Sequence, residues 1–431
     1  MQDSVKHALR CDRKRYFVPG VFGGGLALTA YSGAALAAGD PLSVLGIPID
    51  FILFALTLLG VALFHGHTLR VALTGLAAIV AYKFTFTGFK TGDGIAGFGL
   101  HMAHEWVILT NLLGLLLGFA LLSKHFEESK IPVWLPKFLP SDWKGGFVLL
   151  VIIFVLSSFL DNIAAAMIGG GSGSVVGDTT TTMMWIDGVS PVAVLPAYVA
   201  AGLALVIFGI PAALQQHKYS PITTEVPQGV VIDWARVGIV IFILAAAIAA
   251  NVLANFKLGG HLSDKFPFIG VAVWIAIITT TPLRKPDWGL LPEAFKGSIF
   301  LLSLILCASL MPVEKLPLAS WQTAFGLGFL SAVFDNIPLT ALALKQGGYD
   351  WGMLAYTVGF GGSMIWFGSS SGVALSNMFP EARNVGRWLY HGWHVALAYV
   401  IGFFFMLMIT GWQPTEKIKG GVVVPAVTQP K

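Results

Sequence analysis

A dipeptide of aspartate and asparagine occurs twice in this sequence, each time within an otherwise apolar run. Asp161 is followed by Asn162, and Asp335 is followed by Asn336. An ionised carboxylate at the centre of a bilayer costs about 2.5–3.5 kcal/mol or more, so such a residue is a functional candidate. Burial raises the pKa of a carboxyl group and a neighbouring cation lowers it, so a metal cation and a proton would compete for the same oxygens. The dipeptides therefore indicate exchangeable binding of a cation and a proton.

Neutral oxygen donors accompany both Asp-Asn dipeptides. The two asparagines supply amide oxygens, and a run rich in Gly, Ser and Thr follows each dipeptide and would add backbone carbonyls. Hard cations prefer oxygen ligands of these kinds. The hydroxyl side chains considered as ligands are Ser157, Ser331, Thr180, Thr181, Ser363, Ser369 and Ser370. Two structural uses stay open, because a carboxylate can cap a half-helix and a hydroxyl can bond back to its own helix.

The composition indicates the surroundings in which such a site is built. Of 431 residues, 56% are hydrophobic and only 11% are charged, whereas a soluble domain carries about 25% charged residues. This excludes an ordinary soluble enzyme, a nucleic-acid-binding protein and a disordered chain. The net charge of +4 implies no polyanionic partner, and two cysteines cannot form a disulfide framework or a zinc cluster. We therefore predict an all-α polytopic membrane protein.

Apolar stretches that could cross a bilayer recur along the chain, since a helix needs about 20 apolar residues to do so. The predicted spans are residues 17–38, 48–64, 69–88, 98–122, 192–214, 236–255, 266–283, 297–312 and 391–411. Two further apolar regions, 147–185 and 324–379, are interrupted by Gly, Pro and Asp and contain the Asp-Asn dipeptides. The backbone can leave the helical conformation at membrane depth only where protein or a water-filled cavity supplies hydrogen-bond partners for its N–H and C=O groups. Both regions are therefore expected to form broken helices or re-entrant hairpins.

The basic residues set the expected orientation of the chain. Four of them, between positions 10 and 15, precede the first apolar stretch, which places the N-terminus in the cytoplasm. Residues 1–38 have two interpretations. One is a signal peptide, because Ala-Leu-Ala at 35–37 resembles a cleavage site. The other is an extra N-terminal helix. Either interpretation leaves the topology of the remaining chain unchanged.

The two halves of the chain share one pattern. Ser-Ser-Phe-Leu-Asp-Asn-Ile at 157–163 recurs as Ser-Ala-Val-Phe-Asp-Asn-Ile at 331–337, and in each half three spans precede the motif and one follows it. We interpret residues 48–214 and 236–411 as two repeats and residues 412–431 as a C-terminal tail. Counting spans makes the first motif enter from the cytoplasm and the second from outside. This is the inverted-repeat arrangement, which places a binding site near the membrane midplane.

Other ionisable residues lie in or near the predicted spans. His101, His104 and Glu105 share one helix face and could relay protons, although their position near a helix end favours simple exposure to water. Asp50 is expected to be hydrated at a span end. Lys83 is expected to extend its amine toward the membrane surface.

The repeated motifs resemble those of one known family, the NhaD-type sodium/proton antiporters of the ion transporter superfamily. Four segments carry the resemblance: SSFLDNIAAAM, VVGDTTTTMMW, SAVFDNIPLTA and GFGGSMIWFGSSSGVA. With the order of spans, it covers about residues 45–411. It implies a transporter and not an enzyme, placed in the bacterial inner membrane as a homodimer, that expels Na⁺ or Li⁺ in exchange for protons. It implies no cofactor besides the transported ion, and no nucleic-acid partner.

The resemblance also assigns functional positions. By motif these are Asp161, Asn162, Asp178, Thr180, Thr181, Ser331 and Asn336, and, in the second Gly-rich run, Ser363, Ser369 and Ser370. Together with Asp335 they form the candidate cation- and proton-binding set. Asp161 and Asp178 are the expected cation and proton carboxylates of the first half and the metal-binding pair.

The sequence departs from the family pattern in its first repeat. Asp335 precedes Gly361 by 26 residues, but Asp161 precedes Gly170 by only 9. The second repeat has room to complete a hairpin, turn within 345–351 and return, whereas the first lacks that stretch. Two alternatives stay open beside cation exchange, and the shortened repeat bears on the second of them. One is a dicarboxylate or citrate carrier of the same superfamily, because half-helix N-termini and hydroxyls can bind carboxylates. The other is a relative that kept the fold and lost transport.

Overall fold

A computed structural model describes residues 42–157, 179–219, 229–256, 265–366, 368–369, 372, 383–419 and 422–424. The first predicted segment, 1–38, lies outside these residues. The described helices are α1 (Ile49–Leu63), α2 (Thr68–Tyr82), α3 (Gly94–Glu128), α4 (Ile131–Trp134), α5 (Trp143–Ser157), α6 (Thr179–Ile186), α7 (Pro191–Val194), α8 (Ala197–Tyr219), α9 (Trp234–Phe256), α10 (Phe268–Thr280), α11 (Leu291–Ser309), α12 (Trp321–Val333), α13 (Asn336–Gln346), α14 (Trp351–Gly361) and α15 (Val385–Thr410). The protein is an all-α polytopic membrane protein, as predicted.

Short irregular elements complete the described chain. Single turns of 3₁₀ helix cover His65–His67, Leu135–Phe138, Trp288–Leu290 and Val313–Lys315, and α2 continues as a π-helical turn at Lys83–Thr87. Strands β1 (Ser43–Val44) and β2 (Ile47–Pro48) pair antiparallel, as do β3 (Lys417–Lys419) and β4 (Val422–Val424). In the first hairpin the two turn residues have positive φ, 54° and 80°, as a type I′ turn requires.

Every predicted span that falls on described residues coincides with a helix. Within the described part of the chain, six helical segments are long and apolar enough to cross a membrane: Thr68–Thr87, Gly94–Glu128, Pro191–Tyr219, Trp234–Ala254, Trp288–Ser309 and Val385–Thr410. Helices α1 and α10 are apolar but shorter, with 15 and 13 residues. Helix α3 is longer than its predicted span, and its 35 residues extend about 52 Å, well beyond a hydrocarbon core of about 30 Å.

The described helices pack as two bundles. The first bundle comprises α1, α2, α3, α9, α10 and α11, and the second comprises α5, α6, α8, α12, α13, α14 and α15. The principal contact between the bundles is that of α11 with α13. Helix α13, which begins at the second Asp-Asn dipeptide, therefore lies where the two bundles meet.

The packing of the first bundle is related to the predicted repeats. If α1, α2 and α3 are matched to α9, α10 and α11, the principal contacts have counterparts, with the exception of the α3–α9 contact, whose counterpart would be α1–α11. The α1–α2 contact corresponds to α9–α10, and α3–α10 corresponds to α2–α11, while α3–α11 corresponds to itself. Such an exchange is what a twofold relation between halves requires. The assignment of two inverted repeats stays a prediction.

Helix α14 is the buried centre of the second bundle. All but one of its residues are buried, and Trp351, Tyr356 and Phe360 are among the largest fully buried side chains. A helix that is apolar on every face is stable only inside a larger structure. The Tyr356 hydroxyl donates to the carbonyls of Ala398 and Tyr399 of α15 at 3.1 Å, so its polar atom is paired.

Two expectations for ionisable residues in the first bundle were wrong. Asp50 is only 1% exposed, and the side chain of Lys83 is only 7% exposed, because the Lys83 ammonium lies 3.0 Å from an Asp50 carboxylate oxygen. The pair joins the first turn of α1 to the π-helical turn after α2. A charge that meets its counter-ion inside the bundle has no need to reach water, so neither side chain is hydrated.

The residues at the start of α3 are also more buried than expected. His101 and Glu105 are buried and His104 is exposed. Lys345 of α13 lies 2.6 Å from Glu105, so this ion pair links the two bundles. His101 Nε2 is 3.0 Å from Ser309 Oγ, whose own proton goes to the Leu306 carbonyl. The serine oxygen must then accept, so neutral His101 carries its proton on Nε2.

We predict that Lys83→Met destabilises the protein by about 3–5 kcal/mol, because it leaves a buried carboxylate without its counter-ion. Asp50→Asn combined with Lys83→Met should recover part of that loss. The measurement is the free energy of unfolding of the purified protein in mixed micelles.

The matched control is Lys90→Met. Lys90 pairs with Glu314 at 2.8 Å, but both side chains are 40% exposed or more, so the loss should stay below about 1 kcal/mol. Equal effects of Lys83→Met and Lys90→Met would contradict a buried, tightly held pair.

Candidate functional site

The second Asp-Asn dipeptide lies at a break between two helices. Helix α12 begins with a capping box formed by Ser320 and Thr323 and ends at Val333. Phe334 is extended, with φ −112° and ψ 148°, and α13 begins at Asn336. Pro338 explains why one helix cannot run through this point. Proline lacks the N–H that would bond to the carbonyl four residues earlier, and it fits best in a first helical turn.

Asp335 caps the N-terminus of α13. One carboxylate oxygen accepts a hydrogen bond from the Ile337 backbone N–H at 2.9 Å, and the side chain is half-buried. One of the two structural uses left open by the sequence is thus realised at this position. A carboxylate at a helix N-terminus is stabilised by the helix dipole. Its predicted role in binding a cation stays a prediction.

The hydroxyl of Ser331 joins α12 to the end of α14. Ser331 is fully buried, and its Oγ donates to the Val358 carbonyl at 2.7 Å. Because the proton is used in that bond, the oxygen keeps its lone pairs for accepting interactions. An oxygen in this state is suited to a cation. Asn336 is also buried, and its backbone carbonyl accepts from Thr340 Oγ1 at 2.8 Å.

The chain leaves α14 and folds back against the end of α12. A Cβ added at Gly368 would lie 2.7 Å from the carbonyl oxygens of both Ser331 and Ala332, and one added at Gly362 would lie 2.8 Å from the Gly368 carbonyl. These distances are shorter than carbon–oxygen contacts allow, so only glycine fits. Ser363 is half-buried and Ser369 is 8% exposed. The Ser369 hydroxyl accepts from the Gly372 N–H at 3.3 Å.

Helix α6 brings two predicted ligands of the first half to the same bundle. Thr180 and Thr181 are fully buried in its first turn. Helix α6 packs against both α13 and α14. The structure therefore brings the helix that carries these threonines against the hairpin that carries Asn336, although the two sets come from opposite halves of the chain.

The helix ends around the break favour a positive charge. The C-terminal ends of α12 and α14 lie close together, since the Ser331 hydroxyl donates to the Val358 carbonyl, and helix C-termini carry partial negative charge. The N-terminus of α13 carries partial positive charge, which the Asp335 carboxylate offsets. With Ser331 Oγ, the arrangement supplies oxygen atoms of the kind that hard cations prefer.

Several predicted ligands lie outside the described residues. These are Asp161, Asn162, Asp178 and Ser370. The predicted metal pair, Asp161 and Asp178, is therefore untested. Within the part of the chain that the structure describes, no three His, Cys, Asp or Glu side chains are grouped to hold a metal ion. The predicted ligands that lie within the described residues instead carry hydroxyl, amide and single carboxylate oxygens.

Some structurally important residues were not singled out from the sequence. Asp350 caps α14 by accepting from Met353 N–H and also accepts from Gln413 N–H, both at 3.0 Å. Burial raises the pKa of this carboxyl, although these backbone N–H groups oppose the rise. Lys417 lies 2.7 Å from the Asp187 carboxylate and 2.7 Å from the Leu344 carbonyl. No periodicity or motif in the predicted tail indicates this contact.

Comparison with known proteins finds a similarity over part of the chain. The chain is similar to the protein named sodium/proton antiporter 1 of Arabidopsis thaliana, with 28% identity over 24% of this chain and 22% of the relative. The chain thus matches about a fifth of that relative's length. No model of a known protein family matches the chain.

We predict that Gly368→Ala destabilises the protein by about 1–3 kcal/mol, as overpacking does in a tight interior. Its Cβ would collide with carbonyl oxygens of α12, which cannot move without disturbing the break. Thermal unfolding in detergent, followed by circular dichroism, measures the effect.

Gly326→Ala is the control from the same region. Gly326 lies within α12, and an added Cβ there meets nothing within 4 Å. This variant should be neutral or slightly stabilising, because alanine favours a helix. Unchanged stability of Gly368→Ala would contradict the close packing described above.

Proposed function

We propose that this protein is a secondary active transporter that exchanges Na⁺, or Li⁺, for protons, and that it is an antiporter of the NhaD type. The observation that carries the proposal is the Asp335-Asn336 dipeptide at a helix break inside a membrane-spanning bundle. Broken helices at the midplane are how secondary transporters build ion sites. The similarity to a sodium/proton antiporter supports the same activity.

The proposed chemistry is competition for carboxylate oxygens. Asp161 and Asp178 would bind either the cation or a proton, because a buried carboxylate is stable only when one of them neutralises it. Asn162, Thr180 and Thr181 would complete the ligands of the first half, with Ser331, Asp335 and Asn336 as their counterparts. Ser363, Ser369 and Ser370 are further proposed oxygen donors. Release of one ion permits binding of the other, so the two fluxes are coupled without a covalent step.

The two-bundle architecture supports an exchange of access between the two sides of the membrane. The helix break belongs to the second bundle, and its principal contact with the first bundle is a single pair, α11 with α13. We further propose placement in the bacterial inner membrane and a homodimeric assembly, both of which follow from the family resemblance.

The test is Na⁺-dependent proton movement by purified protein in proteoliposomes, read by a fluorescent pH probe. We expect the wild type to dissipate an imposed pH gradient on addition of Na⁺ or Li⁺. Asp161→Asn with Asp178→Asn should abolish that response, because an amide cannot exchange a proton for a cation. Asp142→Asn is a control, since Asp142 is an exposed residue before α5 and should leave exchange unchanged.

Unchanged exchange in the double variant would remove both aspartates from the mechanism. The two alternatives predict other outcomes. Uptake of radiolabelled citrate without a Na⁺-driven proton flux would identify an anion carrier. Absence of any ion-dependent flux in well-folded protein would identify a relative that has lost transport through its shortened first repeat.

A further inference from the structure

A segment beyond the last long helix lies across the turn between α13 and α14. We call residues 412–417 the strap. The Gln413 N–H donates to the Asp350 carboxylate at 3.0 Å. The Thr415 N–H donates to the Tyr349 carbonyl at 3.3 Å, and the Trp351 indole N–H donates to the Thr415 carbonyl at 2.6 Å. Consecutive residues of the hairpin turn are thus hydrogen-bonded to the strap.

Lys417, at the end of the strap, binds two helices at once. Its ammonium lies 2.7 Å from the Asp187 carboxylate and 2.7 Å from the Leu344 carbonyl, and its side chain is only 12% exposed. The Leu344 carbonyl is in the last turn of α13, where helix carbonyls lack partners in their own helix. A lysine ammonium has three donors and can serve both acceptors. The contact is charge-assisted and largely shielded from water, which strengthens it.

The two acceptors belong to the two halves of the chain. Asp187 directly follows α6, which carries Thr180 and Thr181 in its first turn. Leu344 belongs to α13, which begins at Asn336. Helices α6 and α13 pack against each other, and Lys417 holds both at their C-terminal ends. Their first turns therefore point the same way, away from the strap.

The lengths of the helices fix how far this contact acts. Helix α6 has 8 residues and α13 has 11, so they extend about 12 Å and about 16 Å. Lys417 is thus about one short helix away from each first turn. A change in the separation of the two C-terminal ends changes the separation of the two sets of candidate ligands.

We propose that Lys417 is a positioning residue for the candidate cation site, because it fixes the distance between α6 and α13. This rests on the proposed function. A site assembled from two helices binds its ion only in the fraction of molecules in which the ligands converge, so loosening them weakens apparent affinity by that fraction. Lys417 itself touches no ion.

Na⁺/proton exchange in proteoliposomes tests the proposal, because the KM for Na⁺ and kcat are measured separately for each variant. We expect Lys417→Met, which keeps the aliphatic stem, to raise the KM for Na⁺ about fivefold or more while kcat changes less than twofold. Lys417→Arg can still donate to both acceptors and should restore KM to within twofold of wild type. Lys90→Met, which removes a lysine from an exposed pair, should leave KM unchanged.

Asp187→Asn should raise KM in the same way. Combined with Lys417→Met it should add little, because both substitutions break one contact. A wild-type KM in Lys417→Met and Asp187→Asn would overturn the proposal. So would a KM in Lys417→Arg as high as in Lys417→Met, since the role would then not depend on donation to the two acceptors.

Hydrogen–deuterium exchange of the purified protein tests the contact of Lys417 with Asp187 and Leu344 without a transport assay. In Lys417→Met, peptides covering 183–189 and 343–350 should exchange faster than in wild type, and in Lys90→Met they should not. If the wild type shows no Na⁺-dependent proton flux, the proposed function is wrong and this measurement decides alone. Faster exchange in both peptides supports the proposal that Lys417 holds α6 and α13 together, and unchanged exchange in either peptide overturns it.

Discussion

Backbone polar groups cannot be left unpaired inside an apolar bundle, and the break between α12 and α13 is where this protein meets that constraint. Asp335 pairs an N–H of α13, Ser331 pairs a carbonyl of α14, and Asp350 pairs an N–H at the start of α14. Each of these polar side chains thus has a structural use. In the proposed function the same oxygens would also bind a cation, so the stability of the break and its proposed chemistry would have one physical origin.

Glycine has an equally direct part in this arrangement. The chain that follows α14 lies on the carbonyl oxygens of α12, and the absence of a side chain at Gly368 permits that approach. The close packing brings the ends of two helices together, and it concentrates their partial negative charge in a small volume. If α12 and α14 were farther apart, the carbonyl groups at each helix end would need separate hydrogen-bond partners.

The sequence predicted the spans well because hydropathy depends on composition over about 20 residues, which local reasoning captures. It also located the break, since a carboxylate beside an amide is too costly in an apolar run unless the helix ends there, and the turn between α13 and α14 lies within the predicted 345–351.

The prediction from sequence failed for Asp50 and Lys83, because the burial of each depends on a partner 33 residues away, and no periodicity encodes that contact. Lys417 was missed for the same reason: its partners are far away in the sequence, and the tail that contains it carries no motif. Asp161, Asn162, Asp178 and Ser370 lie outside the described residues.

The strap has a consequence for how the molecule is made. The hairpin of α13 and α14 emerges from the ribosome well before residues 412–417, yet three hydrogen bonds of its turn join it to that segment. Helix α15, which supplies the acceptors for the Tyr356 hydroxyl, also comes later. Until the downstream chain is synthesised, the Tyr356 hydroxyl and the Asp350 carboxylate therefore lack partners that they have in the folded protein. The second half therefore completes its folding only after residues 412–417 have been synthesised. A chain arrested after Gly361 would lack these hydrogen bonds.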